Sequence, residues 1–419
     1  MTMVRCTPVV RAGVALAVMA MFAVGCTSGP AGSAPPASTT TPTAPTAPTA
    51  PTAAPAFAAD LGPKITARMG ELSVPGAIVY VDVPGKGTWL TAFGSSTTEG
   101  APPMSTDNHM RIGSVTKSLT AEVVLQLVDQ GAIGLDDPVT KYLPGVPNGE
   151  NITIRQLLGM TAGIFNFTED GYFNLTLDKD PHKPWTPFEC IGIGLAHPPY
   201  FPPGQGFHYS NTNYEILGVI AERVGKAPLQ KLMQDLVFAK LGMGSTSLPV
   251  YDDTAIPDPH SQGYMYGTNV EGNVAYNAAL AGNKAAAQIT VAPGTKPNDV
   301  TDLPSNGVAS GAAISTVGDM VIWAKALGTG SLLTPATQAA RTTFDPRGNY
   351  GLGMEKAFGG LIGHNGAVPG FQTFVGYQPE KGATVIVMAN LLLAPNTYFG
   401  EALPADGIAQ LVQQTVLPE

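Results

Sequence analysis

Cysteine is scarce in this 419-residue chain, occurring only as Cys6, Cys26 and Cys190. Cys6 falls inside the N-terminal leader and Cys26 at its end, so Cys190 stands alone in the body of the chain. No intrachain disulfide framework follows, and a lone cysteine reads as a small core residue. Charge is scarce as well, at 13% of residues against 44% hydrophobic. It runs negative, with 22 basic and 31 acidic residues and a net charge of −9. Lacking basic clusters, the chain is not expected to bind nucleic acid, or an anionic bilayer by charge. Its six histidines (His109, His182, His197, His208, His260 and His364) never adopt H-E-x-x-H or comparable spacing, so neither a metal nor a cofactor is expected. No phosphate-cradling glycine loop is present. Gly307-Val308-Ala309-Ser310-Gly311 has the letters of a nucleophile elbow, but no strongly apolar strand leads into it and no helix directly follows.

Long apolar runs are also few. Residues 12–24 form one, too short to span a membrane as a mature helix, and Arg5 and Arg11 precede it as a basic flank. It ends in Ala23-Val24-Gly25-Cys26, which resembles a bacterial lipoprotein signal. That resemblance implies a signal peptide over 1–25, a lipid on Cys26, and an exported protein held to the outer face of the cell membrane by its lipid alone. Ordinary secretion with cleavage nearby is the alternative. Residues 26–58 are a linker rich in Pro, Thr and Ala, with a Thr-Ala-Pro repeat between Thr43 and Pro51. Such a segment cannot bury apolar surface and serves as a tether. Loss of Arg5 and Arg11 with the leader takes the net charge to −11.

From residue 59 to 419 the composition is that of one globular domain. Residues 60–72 read as a helix, then 76–83 and 88–93 as strands joined by the turn Pro84-Gly85-Lys86-Gly87. Helices are expected over 152–160, 214–224, 229–241, 317–327 and 406–416. Residues 181–203, rich in Pro, Gly and aromatics, read as a loop packed over a site, and 270–300 have no clear pattern. Strands return at 350–355, 370–377 and 383–388. Strands at both ends with helices between predict an α+β fold. Its antiparallel sheet is built from N- and C-terminal segments, flanked by helices, with an inserted, mostly helical lobe. A cleft between lobes is the default place for a site.

The chemistry centres on Arg111-Ile112-Gly113-Ser114-Val115-Thr116-Lys117. Apolar residues at helical spacing over 119–128 predict a buried helix starting near Gly113-Ser114. Positions i and i+3 share a helix face, so Ser114 and Lys117 face the same spot. A serine hydroxyl needs a base to become nucleophilic. A lysine serves once burial lowers its pKa, and the helix start supplies N–H groups for an oxyanion.

Further segments join this one. Tyr209-Ser210-Asn211 precedes the helix expected at 214–224, and His364-Asn365-Gly366 precedes the strand at 370–377. With Ser114-x-x-Lys117 these resemble, in order and spacing, the serine β-lactamase and penicillin-binding protein superfamily, in particular class C β-lactamases, D-alanyl-D-alanine carboxypeptidases and related esterases. The resemblance runs from about residue 65 to the C-terminus and implies the β-lactamase/transpeptidase-like fold. It implies that Ser114 forms an acyl-enzyme, with Lys117 or Tyr209, or the two sharing a proton, as base. Tyr209 would also protonate the leaving group. Asn211 would bond Lys117 and the acyl amide, Ser114 and Ala367 N–H would hold the oxyanion, and Gly366 would allow close approach. His364, where the superfamily often has lysine, would polarise Tyr209 or, when protonated, bind a substrate carboxylate. The implied substrate is a small D-Ala-D-Ala peptide or β-lactam. The alternatives are an esterase on small acyl esters and a catalytically silent surface protein. Thr161-Ala162-Gly163 reads as a structural turn.

Overall fold

The computed structural model describes residues 54–304 and 306–418. The expected leader, the lipidation site Cys26 and nearly all of the linker lie outside the described residues.

The strands Gly87–Gly94, Gly76–Val83, Ala383–Ala389, Phe371–Gln378, Ile362–Val368 and Glu355–Lys356 lie side by side in that order, each neighbouring pair antiparallel. Both ends of the chain thus meet in one sheet, as expected. The first hairpin closes where Gly85 and Gly87 take φ of +82° and +108°, a region glycine enters without a steric cost. Ala383–Ala389 is buried along its whole length. Side chains alternate across a strand. Val385 and Val387 pack with Val79, Val81, Leu61 and Ile408, while Ile386 and Met388 pack with Ile78, Tyr80, Trp323 and Leu327. Burial on two faces explains a continuous apolar run, each such side chain contributing roughly 1.5–3 kcal/mol. Ala58–Glu71 and Pro404–Val416 cover one face, and Val115–Asp129 and Val317–Thr329 the other.

The middle of the chain is helical, and it departs from expectation in two places. Pro187–Ala196 is a helix inside the expected loop 181–203, and Asn269–Leu280 is a helix inside the unassigned 270–300. Each begins with a capping box, Thr186 with Glu189 and Thr268 with Glu271, which satisfies N–H groups that a helix start leaves open. Residues 229–241 are helical as expected, but with a π-helical turn at Gln234–Phe238. The strand expected at 350–355 shrinks to Glu355–Lys356, and Tyr350 makes only isolated bridges. Cys190 is fully buried, and burial pushes its thiol pKa well up, so it packs as an inert core residue.

Candidate active site

Two glycines set the serine turn against the sheet. Gly113 has φ +54°, and a Cβ there would lie 2.6 Å from the Ala367 backbone nitrogen. A Cβ on Gly366 would lie 2.0 Å from the Ile112 carbonyl oxygen. Side chains at these positions would force the turn and the strand Ile362–Val368 apart. Ser114 caps the helix Val115–Asp129 without a side-chain capping bond, so its hydroxyl is left for other partners. Its backbone N–H belongs to the open donors of a helix start. On the strand, Asn365 N–H donates to Glu355 Oε1 at 2.8 Å, toward the edge away from Phe371–Gln378. N–H groups two residues apart point to the same side of a strand. Ala367 N–H therefore faces the same edge, where the serine turn lies, and the two donors expected for an oxyanion converge there.

Lys117 is fully buried. Its Nζ lies 2.9 Å from Ser114 Oγ, 2.6 Å from Asn211 Oδ1 and 2.7 Å from the Ser310 carbonyl oxygen. Burial pushes its pKa well below the usual lysine value, partly opposed by Glu215. A neutral amine has two N–H donors and one lone pair. Two of its neighbours here are carbonyl oxygens, which only accept. The third is the Ser114 hydroxyl, which can donate, so the neutral amine's lone pair falls toward it. Burial raises the Tyr209 pKa well above 10, partly opposed by the neighbouring Ser114 hydroxyl. The two shifts favour a neutral Lys117 amine beside a protonated Tyr209 phenol. The Lys117 amine stands 4.8 Å from the Tyr209 ring centre.

Two expected roles need correction. His364 is 1% exposed; Nε2 meets Tyr350 Oη at 2.8 Å and Nδ1 meets the Asn365 carbonyl oxygen at 2.5 Å. Burial, and then Lys117, push its pKa down to about 3. It is a neutral packing residue behind Tyr209, and neither ring nitrogen is left for a substrate carboxylate. Asn211 does hold Lys117, but its amide N–H groups donate to Asn166 Oδ1 and Thr168 Oγ1 at 3.1 and 3.0 Å. It positions the base and has no hydrogen left for an acyl amide.

Sequence reasoning missed Glu215. This buried carboxyl accepts Ser310 N–H at 2.9 Å and so fixes the carbonyl that Lys117 meets. It lies on Asn211–Gly225, one turn beyond Asn211, and facing inward from a buried helix was its available signal. The segment dismissed as an elbow, 307–311, is what it holds.

The cleft has two arms that meet at Ser114. One, about 230 Å³, is walled by Phe173, Leu177, Pro304, Val368 and Leu392, and by the buried Arg111, which donates to the Thr254 and Leu303 carbonyls. The other, about 400 Å³, holds Glu169, Glu355, Tyr209 and Tyr276. No group of acidic, His and Cys side chains able to hold a metal occurs among the described residues.

The chain is similar to known proteins. The chain is 30% identical over 187 residues to penicillin-binding protein 4* of Bacillus subtilis, covering 43% of this chain and 40% of that one. It is 32% identical over 201 residues to esterase EstB of Burkholderia gladioli, covering 45% and 51%. It thus spans about half or less of the length of these relatives. A D-stereospecific amidohydrolase from Streptomyces sp. superposes with a TM-score of 0.70 at 27% identity, over 86% of this chain and 99% of that one. The Beta-lactamase family profile matches residues 63–403, a span that holds Ser114, Lys117, Tyr209 and both glycines of the turn, and the chain belongs to that family.

Proposed function

We propose that this chain is an exported serine hydrolase that opens small amides or esters through an acyl-enzyme on Ser114. The observation that carries it is a fully buried Lys117 amine, its pKa pushed well below the usual lysine value, 2.9 Å from the Ser114 hydroxyl and otherwise held by two carbonyl oxygens. Lys117 takes the hydroxyl proton as Oγ attacks the carbonyl carbon, and the N–H groups of Ser114 and Ala367 receive the oxyanion. Tyr209 gives its proton to the leaving amine or alcohol, and Lys117 returns one to Tyr209. Water then attacks the acyl-enzyme by the reverse route.

The carboxypeptidase reading drawn from the sequence let His364 polarise Tyr209 or, when protonated, bind a substrate carboxylate, and burial lowers its pKa to about 3, against the second of these roles. Amides and esters without a carboxylate at that point fit better, and relatives named as an amidohydrolase and an esterase agree with them. A D-Ala-D-Ala peptide or β-lactam remains the second reading, favoured by the cationic Arg111 among the residues lining the apolar arm and by a penicillin-binding relative. Export and a lipid on Cys26 belong to the proposal on the strength of residues 1–26 alone. No helix among the described residues is long and apolar enough to cross a membrane.

Intact-mass analysis after incubation with a penicillin, an activated ester and an amino-acid anilide identifies the acylating class. Ser114→Ala abolishes every adduct while leaving the thermal melt in place. An adduct that survives in the variant, or maps to another serine, overturns the assignment.

A further inference from the structure

The arm of the cleft that faces Tyr209 has an unusual balance of charge. Its ionisable walls are Glu169 and Glu355 with tyrosines, and no Lys or Arg lines it among the described residues. Glu169 is spoken for, since it accepts from Tyr200 Oη at 2.9 Å and from Asn166 Nδ2 at 3.0 Å. Glu355 is not. Its Oε1 accepts Asn365 N–H at 2.8 Å, while Oε2 has no hydrogen-bond partner among the described residues. Behind it stands a second carboxyl, Asp406, held by Asn365 Nδ2 at 3.0 Å and Gln372 Nε2 at 2.8 Å. Among the described residues no Lys or Arg hydrogen-bonds either carboxyl; Arg68, paired with Glu71, lines with both the cavity on their far side.

Position along the strand completes the case. The Glu355 carboxylate sits over Asn365 N–H, and the oxyanion donor is Ala367 N–H, two residues on along the same edge. Two residues of strand advance about 7 Å. An ammonium on the α-carbon lies about 3 Å from its own carbonyl oxygen, and a charge-assisted hydrogen bond adds about 2.8 Å. The two spans are comparable, so a substrate bound with its carbonyl at Ser114 can present an α-ammonium toward the Glu355 carboxyl.

We propose that Glu355 is the carboxylate that recognises a free α-ammonium on the acyl donor, so that the preferred substrates are amides or esters of amino acids whose apolar side chain enters the opposite arm. This rests on the hydrolase reading above and narrows its substrate class. The groups facing Glu355 are Asp406, Tyr209 and Tyr350, with Glu169 and Tyr276 across the cleft and Arg68 and Glu401 lining the neighbouring cavity. Burial, and then Asp406, raise its carboxyl to about 8. An arriving ammonium supplies the counter-charge that the protein withholds, and the carboxyl ionises as it binds.

The test compares phenylalanine 4-nitroanilide, in both enantiomers, with 3-phenylpropionyl 4-nitroanilide, which has the same skeleton without the amine. Wild type cleaves at least one amine-bearing enantiomer with a kcat/KM at least tenfold above the des-amino anilide, and Glu355→Gln brings that ratio near unity. The wild-type ratio is read independently of whether the variant folds. Equal kcat/KM for the amine and des-amino anilides, or a ratio unchanged in Glu355→Gln, overturns the subsite and leaves the hydrolase standing. Cleavage of neither anilide while a fluorophosphonate still labels Ser114 has the same consequence. Absence of any label on Ser114 overturns the hydrolase reading itself.

Discussion

At the residue scale, the pair Ser114 and Lys117 was legible because a helix places i and i+3 on one face, and the structure keeps them 2.9 Å apart. What the sequence could not supply was the protonation state, which depends on Asn211, Ser310 and complete burial, all contributed by distant segments. His364 was misread for the same reason. Its spacing matched the motif, but its surroundings come from Tyr350 and the strand backbone, which make it neutral. A base that works only when neutral gives a definite pH dependence. For an uncharged ester, kcat/KM falls on a single limb as pH drops through the Lys117 pKa, which lies well below 10.5. Tyr209 stays protonated to well above pH 10 and adds no loss below that. Lys117→Arg keeps the charge and most of the volume but cannot deprotonate. It lowers acylation by at least about a hundredfold, as loss of a general base does. Tyr209→Phe acts on the same proton path, so the double variant loses much less than the product of the single effects. Stopped-flow acylation with a p-nitrophenyl ester measures both, and a multiplicative double variant would contradict the shared path.

At the element scale, the sequence signals that were missed are short and local. Thr186-x-x-Glu189 and Thr268-x-x-Glu271 are capping boxes, and composition rich in Pro, Gly and Asn obscured the helices that follow them. The strand Ile362–Val368 is harder to see from sequence, since Ile-Gly-His-Asn-Gly-Ala-Val has weak strand propensity and owes its form to pairing with Phe371–Gln378. The helix Asn269–Leu280 lines the acidic arm through Asn269, Gly272 and Tyr276. Its first turn is tied to Gly171–Lys179 by Asp178, which accepts Asn269 N–H at 2.7 Å and Val270 N–H at 3.0 Å. A carboxylate on a helix start is typically worth about 1 kcal/mol. Asp178→Ala should therefore leave the protein folded but loosen this wall of the cleft. Steady-state kinetics on an anilide that fills both arms should show KM rising severalfold with kcat nearly unchanged. A fall in kcat at constant KM would mean that Asp178 acts on the reacting groups instead.

At the scale of the whole molecule, the sheet drawn from both chain ends could be read from the order of strand-like segments, and the apolar run 383–388 is its fully buried strand Ala383–Ala389. The pair Glu355 and Asp406 could not, because a two-residue strand and a distant helix start bring it together only in the folded chain. That pair should govern how stability responds to pH. In the unfolded chain the two carboxyls titrate near 4.5 and 3.8, whereas in the fold they are raised to about 8 and about 6. A raised value means that the folded state holds the proton more tightly. The stability this contributes is complete below the unfolded values and is lost as pH rises through about 6 and then about 8. His364 has the opposite sign. Its value is lowered from 6.5 to about 3, so its contribution is complete above 6.5 and disappears as pH falls toward 3. Glu355→Gln removes one titrating carboxyl while keeping its shape and its bond to Asn365. Between pH 5 and 9 wild type should lose on the order of 2–4 kcal/mol that the variant retains. Denaturant titrations of both proteins at the two pH values measure the difference. Parallel losses in both would mean that Glu355 is already ionised in the fold, and that its neighbours offset the charge.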